Sequence, residues 1–159
     1  MPVEDSFGAH GIHTESNVMV SMRDGVRLAS DIYRPAKSGV ALDQAFPVLL
    51  QRTPYNKTRE DLVLEARFFA SHGYVTVLQD CRARYESEGG FTKYTDEGED
   101  GFDTMAWLAG QPWHGGKVGT YGLSYAAHAQ AAAASLNPPN LGCMWLDSGG
   151  FSNAFLNAR

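Results

Sequence analysis

The fold of this chain is decided by one stretch, Gly119-Thr-Tyr-Gly-Leu-Ser-Tyr-Ala-Ala127. The residues at 117–121 predict a β-strand, and those at 125–135 predict a helix whose seven alanines allow close packing against a sheet. A serine on a tight turn between a strand and a helix, with small residues beside it, has its hydroxyl lifted clear of the sheet. Gly-x-Ser is also an ordinary turn sequence, but in this strand–turn–helix context Gly122-Leu-Ser124 predicts a nucleophile elbow with Ser124 as the nucleophile.

The chain around this stretch predicts an α/β sandwich with a mostly parallel sheet. Alternating apolar residues at 17–22, a turn at Asp24 and Gly25, and an extended run at 26–35 predict an antiparallel hairpin at its start. Further strands are predicted at 46–51, 74–79, 117–121 and 141–146, with helices at 60–71, 100–109 and 125–135. We expect residues 1–16 to form a loose lead-in and residues 17–159 to form part of one catalytic domain, with a loop at 36–45.

Composition limits the classes of protein to which the chain can belong. Its 159 residues are enough for one domain, and 13 basic against 18 acidic residues give a net charge of −5. A nucleic-acid-binding protein needs a basic face, so we expect no nucleic-acid partner. The longest apolar runs fall far short of the roughly 20 residues that span a bilayer, no secretory leader is recognisable, and the two cysteines lack CxxC spacing. We therefore expect a soluble, cytoplasmic protein without membrane contact.

A serine nucleophile needs hydrogen-bond donors at the place where the substrate carbonyl oxygen becomes negative. The backbone N–H of Tyr125, the residue after the serine, is one predicted donor. The second is expected from the loop after the first buried strand, which here is Arg52-Thr-Pro-Tyr55 and lacks a glycine run. The phenol of Tyr55 has an ordinary pKa of about 10 and stays protonated near neutrality, which makes it a candidate donor. On the residues alone, a packing role for Tyr55 is the simpler interpretation.

Five runs of sequence, taken in order, resemble one family. They are MRDGVRL at 22–28, RTPYNK at 52–57, QDCRAR at 79–84 followed by SEG at 87–89, QPW at 111–113, and GTYGLSY at 119–125. Together they resemble the X-Pro dipeptidyl-peptidase-like, or cocaine-esterase-like (CocE/NonD), serine hydrolases. The resemblance implies an α/β-hydrolase fold without a cofactor or metal, and hydrolysis of a small ester, amide or short peptide substrate through an acyl-serine. It also implies that Ser124 is the nucleophile and that the Tyr125 backbone N–H and the Tyr55 hydroxyl hold the oxyanion.

Three alanines depart from the family pattern. Ala83 stands where the family has a glycine after an arginine, and Ala126 and Ala127 stand where a glycine follows the Ser-Tyr pair. The alanines at 126 and 127 predict a less strained elbow or a shifted helix. The α-amino-acid ester hydrolases of this family also carry an acidic residue shortly after the nucleophile, and the lack of one here argues against their preference for an ammonium group.

The general base and the triad acid are not evident in this sequence. Family members are several hundred residues long, and the resemblance puts their acid and histidine beyond Arg159. His72 and His114 precede strands, so we expect them ~15–20 Å from the reacting ends of those strands. His128 is expected to pack or to face solvent one helical turn after Ser124.

Two aspartates follow strands at the reacting edge. Asp147 is an alternative triad acid, because it leaves the last strand at that edge. Asp80 is interpreted as a structural carboxylate that pairs with Arg82 and Arg84.

The remaining reactive or large residues are given structural roles. His10 and His13 form an HxxH pair without a third ligand and are interpreted as surface residues rather than a metal site. Five others are expected in the core: Trp107, Trp113, Trp145, Cys81 and Cys143.

A serine without a base is an ordinary alcohol, and an oxyanion hole with substrate binding alone gives about 10³–10⁴-fold acceleration over water. We therefore expect a fragment of a hydrolase with little activity of its own, whose last strand is an exposed edge. The alternative is a non-catalytic α/β module that binds a partner through that edge. A nucleotide-binding module is disfavoured, because no GxGxxG or GxxxxGK run follows a predicted strand.

Overall fold

The structure, a computed structural model, describes residues 8–138 and 140–149. The strands in this part of the chain are β1 Gly11–Ser21, β2 Arg27–Lys37, β3 Val40–Ala41, β4 Phe46–Thr53, β5 Val75–Asp80, β6 His114–Leu123 and β7 Leu141–Asp147. The helices are α1 Glu60–Ser71, α2 Glu97–Ala109 and α3 Tyr125–Ala134.

All of these strands belong to one mixed sheet in the order β1-β2-β5-β4-β6-β7, and β3 pairs with β2 off this path. Strand β2 is antiparallel to both β1 and β5. Strands β5, β4, β6 and β7 are parallel to one another. The predicted arrangement, a leading antiparallel hairpin joined to a mostly parallel sheet with flanking helices, is confirmed.

Helices cover the centre of the sheet on both faces, so the middle strands are largely buried. All residues of β5 are buried, as expected of a parallel strand between two helical layers. On one face, Leu62 of α1 contacts Leu78 of β5. Val77, the next residue along β5 and therefore on the opposite face, shares a core cluster with Met105 of α2 and Ala133 of α3.

The first strand begins earlier than predicted. Residues 11–16, expected in the loose lead-in, are part of β1, where Gly11 pairs with Ala36. Part of the loop predicted at 36–45 is likewise strand, because β2 is longer than predicted and pairs with β3. Strand β1 lies at a sheet edge, where backbone pairing rather than a buried apolar face defines a strand, and hydrophobic periodicity is therefore weak. The rest of the predicted lead-in, 1–7, lies outside the described residues.

Strand β7 forms the opposite edge of the described sheet, with Trp145 72% exposed. The expectation that the last predicted strand is an exposed edge is met within the described residues. The final stretch of the predicted domain, 150–159, lies outside them. Among the helices that the structure describes, none combines the length and the apolar character that crossing a membrane requires.

Candidate active site

Ser124 stands on a sharp turn between β6 and α3. It has φ 58° and ψ −112°, and a backbone conformation of this kind costs about 1–3 kcal/mol and persists only where the surroundings determine it. The N–H of Ser124 donates to the carbonyl of Asp147 at 2.9 Å, and the carbonyl of Ser124 accepts the N–H of Ala127 at 3.1 Å. The residue is solvent-exposed. The structure therefore places Ser124 on a strained, exposed turn at the carboxyl end of β6.

Gly122 lets the helix approach the strand closely enough to form this turn. Its φ is 145°, and a Cβ built on it would lie 2.6 Å from the Cβ of Ala126. A larger residue at 122 would therefore push α3 away from β6. Ala126 and Ala127 are both buried in this contact region. Ala126 fits because Gly122 leaves the space, and the turn at Ser124 keeps its positive φ despite the two alanines.

Ser124 and Tyr55 line one cavity of about 250 Å³ at the carboxyl ends of β4 and β6. Its lining includes Gln51, Tyr55, Glu65, Ser124, Trp145 and Asp147. Tyr55 is 44% exposed, and its ring lies edge-on to the ring of Tyr125, with 6.4 Å between their centroids. The structure thus brings together the three residues that the sequence predicts for the site.

Hydrogen bonds donated by main-chain N–H groups hold the loop that carries Tyr55. The N–H of Tyr55 donates to the hydroxyl of Thr53 at 3.1 Å, and the N–H of Cys81 donates to the carbonyl of Thr53 at 2.9 Å. Beyond Tyr55, the N–H of Lys57 donates to the carboxylate of Asp80 at 2.8 Å. The loop is therefore tied to the end of β5 on both sides of the tyrosine.

Tyr125 connects the elbow to α2 through its side chain. Its ring is buried and stacks on the ring of Tyr94 at 4.8 Å. Burial raises the pKa of the Tyr125 phenol, so the neutral hydroxyl donates to the carboxylate of Glu97 at 2.9 Å. The hydroxyl also accepts the N–H of Tyr94 at 3.1 Å. The backbone N–H of Tyr125 belongs to the first turn of α3, where N–H groups have no partner within the helix.

A buried charge cluster supports this contact, and we name it the Arg52 cluster: Arg52, Arg82, Glu97 and Asp100. The guanidinium of Arg52 lies 2.9 Å from the carboxylate of Glu97 and 3.6 Å from that of Asp100. Arg82 binds Asp100 at 2.6 Å. Glu97 was not predicted for this region, because the helix was expected to start at residue 100 and α2 starts at Glu97. The run of acids that opens α2 was the available signal.

The histidines described by the structure do not line the Ser124 cavity. His72 ends α1 and His114 is the first residue of β6, so both lie at the opposite end of the sheet from Ser124, as predicted. Desolvation lowers the pKa of His114. His128 is buried, and its ring lies 4.3 Å from that of Tyr94. It therefore packs inside the protein, one of the two placements expected for it.

The two histidines near the N-terminus lie far from this site. The ring of His10 packs edge-on against Phe46 at 6.0 Å, and Nδ1 of His13 lies 3.1 Å from the carbonyl of Gly39. Within residues 8–138 and 140–149, no three His, Cys, Asp or Glu side chains form a group suited to a metal ion.

Asp80 is fully buried, as expected of a structural carboxylate, but its partner is not the predicted one. It accepts the N–H of Lys57 and lies 3.8 Å from the ammonium of the same residue. Burial raises the pKa of Asp80. The predicted pairing with Arg82 and Arg84 is wrong. After β5 the chain turns at Ala83, whose φ is 52°, and directs the two arginines to other partners.

Strand β7 contributes Asp147 and Trp145 to the cavity lining. Asp147 lies at the edge where it was predicted. The expected core positions of Trp145 and Cys143 are wrong, since both are exposed. The difference arises because β7 is an edge strand of the described sheet, whereas Cys81 and Trp113 lie further inside and are buried.

Comparison with known proteins adds a second kind of evidence. Residues 24–155 match the family described as X-Pro dipeptidyl-peptidase (S15 family). Cocaine esterase of Rhodococcus sp. (strain MB1 Bresler) is 44% identical over an alignment of 126 residues, which covers 75% of this chain and 21% of that protein. The chain therefore spans about a fifth of the length of this curated relative.

Solved structures of hydrolases share the fold. A CocE/NonD family hydrolase from Staphylococcus aureus aligns with a TM-score of 0.74 at 30% identity, over 84% of this chain and 27% of that structure. An α-amino acid ester hydrolase aligns with a TM-score of 0.75 at 26% identity, over 95% of this chain and 27% of that structure. The resemblance found in the sequence motifs and the predicted α/β-hydrolase fold are both confirmed. The chain belongs to the X-Pro dipeptidyl-peptidase (S15) family of hydrolases.

Proposed function

We propose that this chain carries the nucleophile and the oxyanion hole of a serine hydrolase that cleaves ester or amide bonds. The observation that supports the proposal best is the cavity shared by Ser124 and Tyr55. It combines an exposed serine at positive φ with a partly exposed phenol that follows the neighbouring parallel strand.

The reaction begins when Oγ of Ser124 attacks the substrate carbonyl carbon and forms a tetrahedral intermediate. The oxygen of that carbonyl becomes negative and accepts hydrogen bonds from the backbone N–H of Tyr125 and the hydroxyl of Tyr55. Each such donor lowers the barrier by about 2.7–4 kcal/mol. The C–O or C–N bond to the leaving group then breaks, the leaving group takes up the proton lost by the serine, and water hydrolyses the acyl-serine.

A general base must come within about 2.6–3.2 Å of the serine oxygen, or act through one water. None of the histidines in the described part of the chain lines the cavity. We infer that residues 1–159 alone acylate slowly, with the oxyanion hole and substrate binding providing most of the acceleration. Asp147 stays the alternative triad acid in this proposal, supported by its position in the lining of the Ser124 cavity at the end of β7.

The substrate class is a small ester, an amide or a short peptide. The cavity is open, and it has both polar and apolar residues in its lining. The names of the relatives, cocaine esterase and α-amino acid ester hydrolase, favour esters. The competing proposal is a non-catalytic module that binds a partner through the edge strand β7, and the exposure of Trp145 is the observation that favours it.

The test is acylation of the purified chain by p-nitrophenyl butyrate. Release of p-nitrophenolate is followed by absorbance, and the acyl adduct is located by mass spectrometry of tryptic peptides. We expect slow release of p-nitrophenolate together with a butyryl group on Ser124. Both signals should be lost in Ser124→Ala.

The matched control is Ser38→Ala. Ser38 is also an exposed serine at positive φ, 53°, but it lies in the turn between β2 and β3. We expect Ser38→Ala to acylate like the unaltered chain. Equal acylation in Ser124→Ala would overturn the proposed nucleophile and favour the binding module, and rapid turnover by the unaltered chain would contradict the inferred low activity.

A further inference from the structure

Lys57 places an ammonium group inside the protein, next to the candidate site. The residue is 1% exposed, although lysine is almost never fully buried unless it is paired. Its Nζ donates to the side-chain oxygen of Asn17 at 2.8 Å and lies 3.3 Å from Asp31 and 3.8 Å from Asp80. We name this group the Lys57 cluster: Asn17, Asp31, Lys57 and Asp80. Neither the nucleophile nor the predicted oxyanion donors belong to it.

The cluster joins four separate parts of the chain. Asn17 belongs to β1, Asp31 to β2 and Asp80 to the end of β5, whereas Lys57 lies in the loop after β4. Asn17 has φ 55°, and the β1–β2 register shifts between Glu15 and Val18. This irregularity allows the N–H of Asn17 to donate to Asp31 at 2.8 Å while its amide oxygen accepts from Lys57. The leading hairpin is thereby tied to the loop that carries Tyr55.

Only one residue, Asn56, separates Lys57 from Tyr55, and hydrogen bonds restrict its backbone. Asn56 has φ 79°, and its side-chain oxygen accepts the N–H of Thr58 at 3.0 Å. Its carbonyl accepts the N–H of Arg59 at 3.2 Å. A shift of Lys57 therefore moves Tyr55 rather than being absorbed between them.

We propose that Lys57 is a positioning residue whose ammonium, held by Asn17, Asp31 and Asp80, fixes the hydroxyl of Tyr55 at the Ser124 cavity. The proposal rests on the proposed role of Tyr55 as an oxyanion donor. A misplacement of about 1 Å in a catalytic group can cost 10²-fold in rate, so loosening this loop should slow acylation while the serine itself stays intact.

The test is a double-mutant cycle on the rate of Ser124 acylation by p-nitrophenyl butyrate. Lys57→Met should lower the rate about tenfold or more, and it should add no further loss in a chain that already carries Tyr55→Phe. Because Lys57→Met leaves two buried carboxylates without their cation, Asn17→Gly is measured as a second, milder variant. Glycine accepts the positive φ and removes only the amide acceptor, so we expect a loss of about three- to tenfold, equivalent to one hydrogen bond.

Asn137→Gly is the matched control, because Asn137 is an exposed asparagine at φ 54° beyond α3. We expect it to leave the rate unchanged. Circular dichroism checks that each variant is folded, and if Lys57→Met is not, the Asn17→Gly cycle decides.

Two outcomes would overturn the proposal in different ways. If Asn17→Gly slows acylation equally with and without Tyr55→Phe, or has no effect at all, then the cluster does not act through the phenol, and only the positioning role fails. If Tyr55→Phe alone leaves the rate unchanged, then the proposed oxyanion role of Tyr55 fails and the positioning role fails with it.

Discussion

The two charge clusters beside the candidate site both keep charged side chains inside the protein, but they differ in their ratio of cations to carboxylates. The Arg52 cluster has two guanidinium groups for two carboxylates, and Arg82 extends it to the surface at Asp24. The Lys57 cluster has one ammonium for two carboxylates, completed by a neutral amide. The first is attached to Tyr125 and α2, and the second to the loop of Tyr55 and the leading hairpin. The side chain of Tyr125 and the loop that carries Tyr55 are therefore held by separate networks.

The comparison also shows why arginine and lysine are not interchangeable here. The planar fork of Arg52 donates to the side chain of Gln79 and to the carbonyl of Glu97 at once. The compact ammonium of Lys57 instead occupies the point where three strands and a loop meet. An arginine anchors a helix start to a strand, whereas a lysine closes a small space between strands.

The largest expected effect comes from breaking the balanced cluster with Arg52→Met. This change leaves Glu97 buried without its closest cation, so we expect the free energy of unfolding to fall by about 3–5 kcal/mol. Urea denaturation followed by circular dichroism measures it. Arg23→Met, which removes a half-exposed guanidinium paired with Asp103, is the control and should lower the free energy of unfolding by no more than about 1 kcal/mol. A loss no larger than that of the control would show that the cluster does not hold α2.

The two tyrosines should respond in opposite ways to loss of the hydroxyl. Tyr125→Phe leaves a buried carboxylate oxygen of Glu97 without its donor, and we expect about 1–3 kcal/mol lower stability with little change in acylation, since the proposed donor is the backbone N–H. Tyr55→Phe should slow acylation by about 10²–10³-fold while stability changes by less than about 0.5 kcal/mol. Urea denaturation and p-nitrophenolate release, measured on both variants, check this. Similar changes in stability and in acylation rate for both variants would contradict a structural role for the Tyr125 hydroxyl and a catalytic role for the Tyr55 hydroxyl.

The smallest effect is a difference in pH dependence between Asp80 and Asp24. Burial raises the pKa of Asp80, so its folded form holds the proton more tightly, and its contribution to stability falls as the pH rises above about 4. The hydrogen bond from Arg82 lowers the pKa of Asp24, so its contribution is present above about pH 4 and is lost on acidification below it.

Unfolding free energies of Asp80→Asn and Asp24→Asn, measured at several pH values, test these signs. Relative to the unaltered chain, Asp80→Asn should gain stability as the pH rises, and Asp24→Asn should lose less on acidification. The same slope in both variants would contradict the assignment of burial to one carboxylate and ion pairing to the other.

Much of the fold was predictable from local patterns. The helix predicted at 60–71 has those bounds in α1, because its apolar residues recur at helical spacing and a glycine follows its end. The apolar run at 74–79 predicts a buried strand, and the structure has the buried strand β5 there. The sharp turn at Ser124 was predictable as well, because glycine, serine and alanine at a strand–helix junction favour a tight turn.

Other features depended on contacts that local patterns do not contain. The polar start of β1 is strand because β2 pairs with it, and Trp145 is exposed because β7 lies at a sheet edge. The partner of Asp80 was mistaken because nearness in sequence favoured Arg82, whereas the fold brings Lys57 from a loop 23 residues earlier.

The order of strands and helices, the turn at Ser124 and the family follow from the sequence by itself, since each can be recognised from short local patterns taken in their order along the chain. The partners of buried charges, the faces left open to solvent and the cavity in which Tyr55 and Ser124 meet were decided by the tertiary structure. The physical reason is that burial and charge pairing depend on which distant segments come together. A buried polar contact becomes strong only where those segments exclude water.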